Sequence, residues 1–304
     1  MRTGCFELLD DRFNRLFVPT AQLDVLYKGC RWAEGPAYFP AGRYLVWSDI
    51  PNNRMLRLDE CGGTVAVFRQ PSGNSNGNTM DRQGRLLSCE HGGRRVSRTE
   101  IDGSVVTIAD RHDGKRLNSP NDVIVQSDGS IWFTDPSYGI DSDYEGDKSE
   151  REQKRCHVFR VDPASGKLHV VADDFVQPNG LAFSPDERIL YIVDTGRTHV
   201  KNGPAHIRKF EVGDKGKLVD RGLFADCTAG LFDGLRVDTE GRIWTSAADG
   251  VHCYAPDGTL IGKIHVPEVV ANVCFGGAKR NYLYICGTTS LYGIRLAVNG
   301  NKTF

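Results

Sequence analysis

The sequence predicts an all-β fold, a six-bladed β-propeller, on three observations. A short pattern repeats six times along the 304 residues, its starts 42, 45, 58, 54 and 39 residues apart. The copies are built of short strand-like segments, about four to a unit, separated by turn residues. Helical apolar spacing is nearly absent, apart from a turn within the first 17 residues. Four strands in a period near 40 residues or slightly more is the signature of a propeller blade.

Each copy opens on a polar residue, runs through a short apolar stretch, turns, and continues as an apolar and aromatic strand. The copies are EGPAYFPAGRYLVWSD from Glu34, NGNTMDRQGRLLSCE from Asn76 and NDVIVQSDGSIWFTD from Asn121. NGLAFSPDERILYIVD follows from Asn179, DGLRVDTEGRIWTSA from Asp233, and a degenerate NVCFGGAKRNYLYICG from Asn272. In four copies a glycine falls eight residues after the lead residue: Gly42, Gly84, Gly129 and Gly241. Two further strand-like segments complete a unit, such as RRVSRTE and SVVTIAD in the second or GVHCYAP and LIGKIHV in the fifth. The last copy lacks a fourth strand. QLDVLYK, residues 22–28, alternates apolar with polar and is expected to supply it, closing the ring and removing two free sheet edges. The expected organisation is one domain over 1–304, with 1–20 as an N-terminal extension.

Composition excludes several partners. Lysine and arginine total 38 against 39 acidic residues, a net charge of −1, which leaves no basic footprint for nucleic acid or an anionic membrane. No apolar run is long enough to span a bilayer. The opening MRTGCFELLDDRFNRLF interrupts its apolar residues with acids, unlike a signal peptide, so the expected location is cytoplasmic. Nine cysteines are scattered without CxxC pairs, against both a disulfide framework and a zinc knuckle. Cys89, Cys253, Cys274 and Cys286 lie in apolar strands, as small buried hydrophobes do. Oligomeric state is not legible.

In a propeller the innermost strands line a central channel, so equivalent positions form a ring. The lead positions therefore predict a ring of Glu34, Asn76, Asn121, Asn179, Asp233 and Asn272. Asn-Gly and Asp-Gly are ordinary turn pairs. Six matched positions, all offering an oxygen and none a lysine, arginine or histidine, point instead to a hard divalent cation. Glu34 and Asp233 balance its charge, and amide oxygens add coordination; three or four ligands plus water is the expected set.

A second ring follows where the next strand returns to the same mouth: Asp49, Glu90, Asp135 and Asp194, then Ala247 and Gly287. These acids are expected to cap strand ends or to orient ligand amides. The third and fourth copies carry insertions at this mouth, residues 136–156 and 195–206, expected to form a wall or lid. Tyr138, Tyr144, Glu145 and, after Glu90, His91 are candidate substrate contacts.

WAEGP, SPNDV, WFTDPSYG, PNGLAFSPD and FDGLRVD, in that order from about residue 30 to 295, resemble the SMP-30/gluconolactonase family, related to regucalcin. The resemblance implies a six-bladed propeller that hydrolyses a small sugar lactone such as gluconolactone with one divalent metal. Calcium comes first, with magnesium, manganese or zinc open. It matches the metal ligands to Glu34, Asn179 and Asp233, and a further ligand or substrate contact to Asn121. Asn121, Ser119, Asn76, His91 and Tyr138 are read as substrate-binding. Regucalcin-like members carry an arginine two residues before that asparagine; here the position is Ser119, which places the chain nearer the bacterial gluconolactonase branch. The implied mechanism has the cation polarise the lactone carbonyl while water attacks. Asp233 is the implied base, with activation of the water by the ion itself as the alternative. Phosphotriester hydrolysis on the same oxygen ring, or a non-catalytic propeller that binds a partner, are the competing readings. No GxSxG nucleophile elbow is present.

Overall fold

A computed structural model describes residues 2–302. Six four-stranded antiparallel arrays follow one another around a channel. The first is Ala33–Phe39, Tyr44–Asp49, Arg54–Asp59 and Val65–Arg69; the second runs from Ser75–Met80 to Val105–Ala109. Val123–Val125 to Leu168–Phe175 and Pro178–Phe183 to Leu218–Asp226 form the third and fourth. Leu235–Val237 to Leu260–His265 form the fifth. The sixth holds Val270–Gly276, Tyr282–Gly287 and Ser290–Arg295, with Asp24–Lys28 as its outermost strand. That strand pairs antiparallel with Ser290–Arg295, Ser290 opposite Lys28 and Gly293 opposite Asp24.

The repeat is the origin of the packing. Alternation along each second strand sends one side chain in two into the space between blades. Trp47, Trp132 and Trp244 occupy this place in blades one, three and five, fully buried. Cys89, Cys253, Cys274 and Cys286 are buried in the same strands and their neighbours.

The N-terminal residues are packed into the propeller. Arg2–Thr3 and Phe6–Leu8 extend the fifth blade to six strands, Phe6–Leu8 pairing with Leu260–His265. A 3₁₀ turn at Asp11–Arg15, capped by the Asp10 carboxylate on Arg12 N–H at 2.9 Å, then turns Phe13 inward. Phe6, Phe13, Leu16 and Phe17 bury against Trp244, Ile261 and Ile294 in the cluster between blades five and six. No helix among the described residues is long and apolar enough to cross a membrane.

Candidate active site

The lead residues sit where each inner strand begins, and the chain there is irregular. Register slips between Glu34 and Ala37, Ser75 and Asn78, Pro178 and Leu181, and Val270 and Asn272. Such bulges re-aim a side chain that regular alternation would send elsewhere.

The residue after each lead position shows why the repeat reads NG or DG. A Cβ on Gly77 would stand 2.4 Å from the Asn121 carbonyl oxygen, and one on Gly180 would stand 2.3 Å from that of Asp233. Gly77 N–H donates to Asn121 O at 2.7 Å, Gly180 N–H to Asp233 O at 3.1 Å, and Gly234 N–H to Ala271 O at 2.7 Å. Glycine is therefore required for blade-to-blade contact, beyond any local turn. Gly234 is closest of all, its absent Cβ lying 1.9 Å from Asn272 Cγ.

Glu34, Asn76, Asn121, Asn179 and Asp233 together line a cavity of about 310 Å³ at this mouth, within the roughly 300–1,000 Å³ typical of small-molecule sites. The sixth lead residue differs from the ring expected. Packed over Gly234, Asn272 takes Val273 N–H on its Oδ1 at 2.8 Å and donates its Nδ2 to Glu34 Oε1 at 3.2 Å. It braces Glu34 and is not among the residues that line the cavity.

Among the described residues no cluster of three or more His, Cys, Asp or Glu side chains could hold a metal. The set here consists of two carboxylates and amides. Asn76 Oδ1, Asn121 Oδ1 and Asn179 Oδ1 are all buried without a hydrogen-bond partner. A buried acceptor left unsatisfied costs roughly 1–3 kcal/mol, so three beside one cavity mark a place built for a ligand that accepts lone pairs. Burial, then Asp233 and Asp122, pushes Glu34 well above the usual carboxylate range. Burial, then Glu145 and Asp122, raises Asp233. Carboxyls crowded in this way, with unpartnered amide oxygens alongside, suit a hard divalent cation.

The second ring of acids holds the approach to the lead residues by the backbone, and the lead asparagine amides are untouched by it. Asp49 Oδ1 takes Arg31 N–H at 2.8 Å, Asp135 Oδ2 takes Asn118 N–H at 2.8 Å, and Asp194 Oδ1 takes Gln177 N–H at 2.9 Å. Each grips the chain two or three residues before Glu34, Asn121 or Asn179. Glu90 departs from the pattern and pairs with Arg95 and Ser97.

Both insertions reach the cavity, 136–156 through Tyr138 and Glu145, and 195–206 through Thr195 and Thr198. They also touch each other. Tyr138 Oη meets Thr198 Oγ1 at 3.0 Å, and His199 Nε2 meets Asp141 Oδ2 at 2.7 Å. Tyr144, about half exposed, is not part of the lining.

Two candidate substrate contacts stand one layer behind the wall. Ser119 is fully buried; its Oγ donates to Pro136 O at 2.7 Å and accepts Gly139 N–H at 3.0 Å, which anchors the first insertion. His91 is fully buried too. Its Nε2 lies 3.2 Å from Asn76 Nδ2, and its Nδ1 lies 3.6 Å from Glu145 Oε2. With Nε2 accepting, the Asn76 amide turns its oxygen toward the ring.

Asp122 escaped the sequence reading. It fills the position that is glycine after Glu34, Asn76, Asn179 and Asp233, and a carboxylate there was the available signal. It is buried, 3.6 Å from Arg236 Nη1. Trp32, Leu231, Phe232, Val269 and Val270 form an apolar side of the cavity, which no repeat position announces. The opposite mouth is a narrow, mostly apolar shaft lined by the far ends of the inner strands, with Arg236 and Arg280 on its wall.

Fold and cavity together define a six-bladed propeller with an oxygen-donor site at one mouth of its channel. The chain belongs to the SMP-30/gluconolactonase/LRE-like family, whose model matches residues 32–289. A gluconolactonase of Zymomonas mobilis is 30% identical over 96% of this chain and 85% of its own length. The pentonolactonase XacC of Haloferax volcanii is 32% identical over 86% of this chain and 83% of its own. The solved structure of XC5397, a gluconolactonase from Xanthomonas campestris, superimposes with a TM-score of 0.89 at 38% identity. That match covers 97% of this chain and 96% of the other.

Proposed function

We propose that the protein is a lactonase that hydrolyses a sugar lactone to the free sugar acid, with one divalent cation held by Glu34, Asn179, Asp233 and Asn121. The observation that carries the reading is the convergence of two crowded carboxylates and three unpartnered amide oxygens on one small cavity. The resemblance to gluconolactonases and a pentonolactonase supports the substrate class. When bound, the cation supplies Lewis acidity to the lactone carbonyl, and calcium is the first candidate.

The chain's own residues do the rest. The apolar side formed by Phe232 and Val270 takes the less polar face of the lactone ring, and Tyr138, Thr195 and Thr198 face its hydroxyls. Asp233 accepts the proton of the attacking water as the oxygen adds to the carbonyl carbon. The ring C–O bond then breaks, and that proton passes to the departing alkoxide. Asn272 holds Glu34 in place throughout.

The test is proton release from a panel of aldonolactones by cation-loaded and chelated enzyme. Rapid turnover of at least one lactone, lost on chelation and restored by one divalent ion, is expected. Tight cation binding without turnover of any lactone would sink the reading.

A further inference from the structure

Three carboxylates face the cavity: Glu34, Asp233 and Glu145. Among the described residues no lysine, arginine or histidine lines it. Arg236, which pairs with Asp122, lines the shaft of the opposite mouth instead. The wall is thus acidic beyond what one divalent ion balances, and the excess comes from Glu145.

Glu145 is placed by construction. The insertion carrying it is clamped at Gly139, where an added Cβ would stand 2.4 Å from His91 Cβ and 2.8 Å from Ser119 Cβ. It is clamped again at Gly146, where a Cβ would stand 2.2 Å from Gly139 O. Between these points the Glu145 side chain is three-quarters buried, 25% exposed, with Oε2 toward His91. No side-chain hydrogen bond engages Oε1 among the described residues. A carboxylate oxygen held at a cavity wall is a strong acceptor for hydroxyl groups. It also repels a second anion at close range in a desolvated site.

We propose that Glu145 is a specificity-determining residue: its carboxylate accepts hydrogen bonds from the hydroxyls of a neutral polyhydroxy lactone and repels lactones that carry a phosphate, sulfonate or carboxylate of their own. The inference rests on the lactonase reading. It also accounts for release, because hydrolysis turns a neutral substrate into an aldonate anion that the same wall disfavours.

The experiment compares wild type with Glu145→Gln, which keeps the shape and removes the charge. Substrates are gluconolactone and 6-phosphogluconolactone, assayed at about pH 8 with the spontaneous rate subtracted; burial and then Asp141 push the carboxyl up to about 7, so it is ionised there. The kcat/KM ratio of phosphorylated to neutral lactone is expected to rise at least about 10-fold in the variant, with a loss of about 10-fold on the neutral substrate. Inhibition by gluconate is expected to tighten in parallel. Glu145→Ala serves as a second variant and is expected to shift the ratio the same way. An unchanged ratio in both variants, or an equal loss on both lactones, overturns the proposal while the lactonase reading stands. No turnover of either lactone by wild type overturns both.

Discussion

The carbonyl oxygen of Asp233 accepts a 3.1 Å hydrogen bond from the N–H of Gly180, the residue that follows Asn179. Two proposed ligands from neighbouring blades are therefore fixed to each other through the main chain. A methyl group at Gly180 would meet that oxygen at 2.3 Å, well inside contact distance. Gly180→Ala must push blades four and five apart at their inner ends. We expect it to cut kcat/KM by more than about 100-fold, while the stability loss stays near the roughly 1–3 kcal/mol usual for overpacking. Kinetics and urea melts on the same preparation measure the two effects. Full activity in Gly180→Ala would show that the contact does not set the site.

This relationship marks the line between what the sequence announces and what it conceals. The blades were legible because each must bury one face of a short strand, which imposes alternation and turns at a regular period. Glu34, Asn76, Asn121, Asn179 and Asp233 were legible as a set because the repeat gives them one topological place. Asn272 looked equivalent by spacing, but its use depends on how closely Gly234 packs against it, a distance between blades that no single strand encodes. Ser119 and His91 read as site residues for the same reason: proximity was visible, and direction was not. The apolar wall of Phe232 and Val270 lies outside the repeat register, so no period pointed to it.

Glu34 and Asp233 are predicted to separate by role. Both carboxylates are proposed to hold the cation, so Glu34→Gln and Asp233→Asn should each weaken binding on the order of 100-fold. Isothermal titration with calcium measures that loss. At saturating cation Glu34→Gln should regain much of its kcat. Asp233→Asn, lacking the proton acceptor, should remain roughly 10²–10⁴-fold below wild type. Equal recovery of the two would remove Asp233 from proton transfer.

Removing the cation should also lower thermal stability. An ion that binds only the folded chain stabilises it by about 2.7 kcal/mol when present at 100 times its dissociation constant. The expected observation is a melting temperature that falls on chelation and rises with the logarithm of added calcium. A melting temperature indifferent to every divalent ion tested would contradict a resident cation.

Phe13 should matter for folding and leave chemistry alone. Its ring occupies the space above Gly262, where an added Cβ would lie 2.3 Å from Phe13 Cγ, and it packs 6.0 Å from the Trp244 ring. Phe13→Ala is expected to cost about 3–5 kcal/mol, measured by denaturant midpoint, with kcat/KM of the folded fraction unchanged. A small cost would mean that the N-terminal residues are an appendage to the propeller.

His91 predicts an acid limit to stability. Burial lowers its imidazole from the ordinary 6.5 to about 4, and the neighbouring Glu145 backbone opposes this only in part. Between those two values the unfolded chain binds a proton that the folded chain refuses, so stability rises with pH across that window. The contribution is complete above about pH 6.5 and is lost progressively as the pH falls toward 4. The total loss from this one group is about 3 kcal/mol. His91→Gln keeps an acceptor for Asn76 and removes the titration. The difference in urea midpoint between wild type and His91→Gln, followed from about pH 7.5 down to about pH 4.5, isolates the effect from the carboxyls that titrate in both proteins. Wild type should lose ground to the variant on acidification, most steeply below about pH 6. Parallel curves would place the His91 proton affinity near its ordinary value, which a fully buried ring accepting from Asn76 could reach only by gaining a close bond from its Nδ1–H to Glu145.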